Sequence, residues 1–67
     1  MNAPAHPDVT VPLTGRDGNA FAIIGRVTLA LIAAGKPEAA SEFRAHALAC
    51  ASYDELLQLA METVEVE

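Results

Sequence analysis

The chain predicts an α+β fold, a small single domain in which strand, three helices and strand follow one another as β-α-α-α-β. Three observations carry this. Period-two alternation appears only at the two ends of the sequence, at Val9-Thr10-Val11-Pro12-Leu13 and at Thr63-Val64-Glu65-Val66-Glu67. Helical punctuation divides the middle into three segments. A lone strand leaves its backbone groups unpaired, so the economical arrangement pairs the two terminal strands in one sheet and packs the three helices on one face. The direction of that pairing stays open. An up-and-down walk through three helices gives a parallel pair, and obliquely crossing helices give an antiparallel one.

Residues 1–8, with Pro4 and Pro7, lack apolar periodicity and read as a flexible leader to a single domain at 9–67. In the first strand Pro12 cannot donate a ladder hydrogen bond, which suits an edge position. Turn chemistry follows at Thr14-Gly15-Arg16-Asp17-Gly18-Asn19, where two glycines allow positive φ and Asp17 or Asn19 can cap a helix. The first helix is expected from about Asn19 to Ala34, stopped by Gly35 and by Pro37 two positions on. Its apolar residues form more than one row: Phe21, Ile24, Thr28 and Leu31 in one, Ile23, Val27, Ala30 and Ala34 in another, with Leu29 and Ile32 further round. A helix apolar on most sides is normally central and covered by two layers.

The second helix begins at Pro37, where a missing N–H costs little, with Glu38 near the positive helix end. Ala40, Phe43, Ala47 and Cys50 share its inner face. Ser52-Tyr53-Asp54-Glu55 is a capping-box pattern that starts the third helix, which runs to about Glu62 with Tyr53, Leu56, Leu57 and Ala60 inward. In the final strand Val64 and Val66 face the core, and Thr63, Glu65 and Glu67 face water.

The run from Val11 through Leu13, Gly15 and Asp17-Gly18-Asn19-Ala20-Phe21-Ala22-Ile23 to Val27 resembles the opening of a family of short bacterial and phage proteins. Its members share a "DGNAFAI" helix start, a second helix after a glycine, a Tyr-Asp-x-x-Leu motif and a terminal valine-rich strand. Tyr53-Asp54-Glu55-Leu56-Leu57 and Val64-Glu65-Val66 match the later parts, so the resemblance spans residues 9–67. Ser52 and Thr63 stand where the family pattern more often has a glycine and an aromatic residue. The family has no assigned activity, so the resemblance implies the fold and no function.

Size and composition narrow the function. The chain has 67 residues, 14 of them alanine, so its core stock of large apolar side chains is small for its apolar fraction of 52%. A domain this short buries only ~60% of its unfolded surface and is marginally stable. Disulfides, metals or oligomerisation usually compensate. The single Cys50 allows no disulfide within the chain and fits a reducing, cytoplasmic location, which leaves self-association or a partner. The formal charge of −5 argues against a nucleic-acid or anionic-membrane partner. The apolar stretch Ala20 to Ala34, broken by Gly25, Arg26 and Thr28, is too short to span a bilayer comfortably.

Enzyme chemistry finds no constellation. Ser41 and Ser52 have no base and orienting group, since His46 is the only histidine in the expected folded region. His46 and Cys50 are four apart on a helix, but two ligands do not make a structural zinc site, so neither metal nor cofactor is expected. The strand, glycine turn and helix start at residues 15–19 share the geometry of anion-binding turns. Neither phosphate-binding glycine spacing is present, however, and Asp17 places a negative charge where a phosphate would sit. Gly15, Arg16, Asp17, Gly18, Asn19 and Arg26 are therefore the candidate interaction or ligand surface. The leading expectation is a small acidic interaction or regulatory module, acting by occupying a surface on another protein or as a homodimer. A small-ligand or anion site at 15–19 is the alternative. Gly25 inside the first helix costs about 1 kcal/mol relative to alanine. Close approach of another backbone should offset that, most simply by packing within the chain, otherwise across a dimer seam.

Overall fold

The computed structural model describes residues 3–13 and 19–67, in the order β1 (His6–Val11), α1 (Ala20–Ala33), α2 (Pro37–Leu48), α3 (Tyr53–Thr63) and β2 (Val64–Val66). The two strands form one two-stranded sheet and run parallel, with Thr10 against Glu65 and Val11 against Val66. Three helices thus carry the chain from the end of β1 back to the end of the sheet where β1 began, and they pack on one face of the strand pair.

Local sequence explains where each helix starts and stops. The Asn19 side chain accepts a hydrogen bond from the Ala22 amide at 2.8 Å, satisfying one of the free donors at the start of α1. At the far end Gly35 takes φ 79°, while its own amide donates to Ile32 and that of Lys36 donates to Leu31. This closing motif needs a left-handed residue, which glycine adopts without Cβ strain. Pro37 then opens α2 at a position that needs no amide donor. Ser52 caps α3 by accepting from the Glu55 amide at 3.2 Å. α3 passes into β2 without a loop. The Thr63 hydroxyl donates back to the Leu59 carbonyl at 2.7 Å, and Val64 already has extended dihedrals.

β1 corrects the expected leader and strand bounds. The strand begins at His6 rather than at Val9, so residues 6–8 belong to the sheet. His6 is in register with Val64, and the Ala5 amide donates to the Glu62 carbonyl at 2.9 Å. Between His6 and Thr10 the register shifts, which accommodates Pro7 where no donor is required. Beyond Val11 the pairing continues: the Glu67 amide donates to the Val11 carbonyl, and the Leu13 amide to the Glu67 carbonyl. In a parallel ladder, a residue bonded on both sides in this way flanks one whose own amide points outward. That residue is Pro12, and its missing donor costs nothing there.

The core is a continuous cluster that draws on every element: Val9, Val11, Ile23, Ile24, Val27, Leu31, Ala40, Phe43, Ala47, Leu56, Ala60 and Val64. Leu57, Val66 and Cys50 are half-buried against it. Lys36 and Asp8 form an ion pair at 3.7 Å that links the α1–α2 turn to β1. Val64 is fully buried while its neighbour Glu65 is exposed. Val64→Ala is therefore expected to cost about 2 kcal/mol in urea unfolding, and Glu65→Ala less than about 0.5 kcal/mol. Equal effects at the two positions would contradict the assigned register.

Candidate protein-interaction surface

α1 presents two apolar faces, and the chain covers only one. At 100° per residue, Ile23, Ile24, Val27 and Leu31 fall within one sector and are buried. The opposite half of the helix carries Phe21, Ala22, Gly25, Leu29, Ile32 and Ala33. There Phe21 is 81% exposed, Leu29 67% and Ile32 50%. The expectation that two layers cover this helix is thus corrected. Among the described residues a two-stranded sheet and two short helices reach one side of α1, and no further element lies on the other.

Gly25 lies on the uncovered half. A Cβ built there would meet nothing within 4 Å among the described residues, and its φ is not positive. Close backbone packing inside the chain therefore does not account for this glycine. No close approach to a Cβ at this position among the described residues offsets its helix-interior cost of about 1 kcal/mol.

The uncovered face continues at its N-terminal end into a hollow of about 310 Å³. Phe21 and Ile24 form one wall, Leu48 and Cys50 at the end of α2 another, and Tyr53 and Leu56 of α3 the third. Leu48 and Tyr53 are themselves exposed, which extends the apolar area from α1 across the ends of α2 and α3. The Cys50 thiol donates to the His46 carbonyl at 3.5 Å and is half-buried, so it packs in the wall as a small apolar group. A smaller hollow on the other side of α2 is lined by His6, Glu42 and His46 among others. Among the described residues no group of three His, Cys, Asp or Glu is placed to hold a metal ion. No helix among them is long and apolar enough to cross a membrane.

Of the six positions singled out in the sequence, Gly15, Arg16, Asp17 and Gly18 lie outside the described residues. Asn19 is the N-cap of α1, its carboxamide oxygen engaged by the Ala22 amide. Arg26 is half-buried at the border of the uncovered face and is the only charged residue of α1. Sequence reasoning placed Leu29 with Ala22 and Gly25 in a row that packs either within the chain or across a dimer seam, and did not single out Phe21, Ile32 and Leu48 as surface residues. The signal was present in the apolar rows of α1, but an apolar helix reads as a buried one until the elements available to cover it are counted. No protein-family model, curated protein or solved structure matches the chain.

The capping role of Asn19 is directly testable. Asn19→Ala is expected to lower stability by about 1 kcal/mol in chemical denaturation. An unchanged midpoint would mean that the helix start draws its stability from elsewhere.

Proposed function

We propose that this chain is a small acidic protein-interaction module that works by surface occupation, and that its recognition surface is the uncovered face of α1. The supporting observation is the exposure of Phe21, Leu29 and Ile32 on one side of one helix, around a glycine that leaves room for a second backbone. Single exposed apolar residues are ordinary, but a contiguous patch rimmed by polar groups marks a place where another macromolecule sits. A helix face of this kind is read by a partner helix or groove at i, i+3, i+4 and i+7 spacing, with phenylalanine as anchor.

The electrostatics agree with a protein partner. The chain carries −5 overall, and every acidic residue lies outside α1. The acids on the other elements discourage phosphate-rich partners and keep the rest of the surface hydrated. The recognition face itself is close to neutral, so binding there desolvates few charges. We assign the module to the cytoplasm, where a half-buried free thiol such as that of Cys50 persists unoxidised.

Photo-crosslinking in native cells tests the reading. A benzophenone analogue replacing Phe21 or Leu29 is expected to give discrete protein adducts, whereas the same analogue replacing Gln58, exposed on α3, gives none. Adducts from position 58 alone, or none from either α1 position, would contradict it.

A further inference from the structure

We infer that the partner of the α1 face is a second copy of this chain, bound antiparallel about a two-fold axis at the level of Val27. This deepens the interaction reading above and rests on it. Four residues of the uncovered face, Ala22, Gly25, Leu29 and Ile32, follow one another at spacings of three, four and three, the spacing of a helix-pairing seam. Their sizes run small, small, large, large. Reversing the helix about Val27 sets Ala22 against the partner's Ile32 and Gly25 against the partner's Leu29. Phe21 on the flank comes level with the partner's Ala33. Each level of the seam then joins one large side chain to one small one, as close packing of two helices requires. A parallel pairing would instead oppose Gly25 to Gly25 and Leu29 to Leu29, alternating a void with a clash. The self-complementary order belongs to this helix and its own reversed copy, which is the signature of an isologous interface.

Two further observations point to the same occupant. Gly25 has open space around its missing Cβ, so the chain leaves unfilled the one position where Leu29 of the partner would insert. Charge selects the same face. Two chains each carrying −5 repel at every approach, and α1 is the helix without an acidic residue. Both copies of Arg26 border the seam on its solvent side, where they lower the mutual repulsion of two acidic bodies. The contact is small. A helix of 14 residues is ~21 Å long, which places the pair at the low end of specific interfaces, under ~1,200 Å² in total. The dimer is therefore reversible, with a dissociation constant on the order of 10 µM.

Sedimentation equilibrium of the full chain from micromolar to millimolar concentration tests this. The mass is expected to rise from 7.0 kDa towards twice that value. Gly25→Leu fills the space meant for the partner and is expected to weaken association at least ~10-fold. Its melting temperature at micromolar concentration should not fall, because a Cβ there stands in open space and leucine favours a helix interior over glycine. Adding Leu29→Ala to Gly25→Leu exchanges large and small at that level of the seam and should restore association. A wild-type mass fixed at 7.0 kDa at millimolar concentration would overturn the inference, as would Gly25→Leu associating as tightly as wild type. Loss in the single variant without rescue in the double one would overturn the antiparallel register. The crosslinking experiment separates this failure from failure of the interaction reading. Adducts at position 21 with a different chain, and no dimer in the centrifuge, remove the second copy as partner and leave the surface standing.

Discussion

Burial of the inner face of α1, through Ile23, Ile24, Val27 and Leu31, is the contact on which the other elements depend. β1 lies against it with Val9 and Val11, α2 closes on it with Ala40, Phe43 and Ala47, and α3 supplies Leu56 and Ala60. Each of the four α1 side chains contributes about 1.5–3 kcal/mol by leaving water, a large share of the stability a domain of this size can have. The alanines of α2 and α3 matter here for what they omit. Their short side chains let the helices approach closely enough to shield these four residues, although they add little burial themselves. β2 completes the arrangement, because Val64 fills the space between the end of α3 and β1. The parallel pairing then holds the two terminal segments side by side against the same core.

The same arithmetic leaves the other face of α1 open. A two-stranded sheet and two helices of 12 and 11 residues cannot surround a third helix. A chain that needed only to fold would place polar residues on the uncovered side, as α3 does with Asp54, Gln58 and Glu62. α1 carries Phe21, Leu29 and Ile32 there instead, beside a glycine that weakens the helix and has open space where a Cβ would stand. Local choices that conflict with the stability of the isolated chain are the expected mark of a functional surface.

Much of the architecture was legible because its signals are local. Asn19, Gly35, Pro37 and Ser52 act through hydrogen bonds or dihedral preferences within a few residues, and each sits at the helix boundary its chemistry demands. The alternation of Val64, Glu65 and Val66 likewise set the inward face of β2. What could not be read depends on distant partners. His6 enters β1 because Val64 and Glu62 lie beside it, while Pro4 and Pro7 in the sequence argue for a break. The parallel direction follows from how three helices cross. The exposed apolar face did not follow the glycines and charges of residues 15–19, although Gly25 lies on it. It is set by the number of elements left over to cover α1, a property of the whole fold.

The central claim is that α1 divides one apolar circumference into a face buried by its own chain and a face reserved for a protein partner. Methyl relaxation by a soluble paramagnetic probe, at a dilution where the chain is monomeric, tests that division directly. Ile23 and Leu31 should be shielded from the probe, while Leu29 and Ile32 should relax as freely as the exposed Leu48. Shielding of Leu29 and Ile32 in the dilute chain would mean that the fold covers α1 on both sides, and would contradict the account.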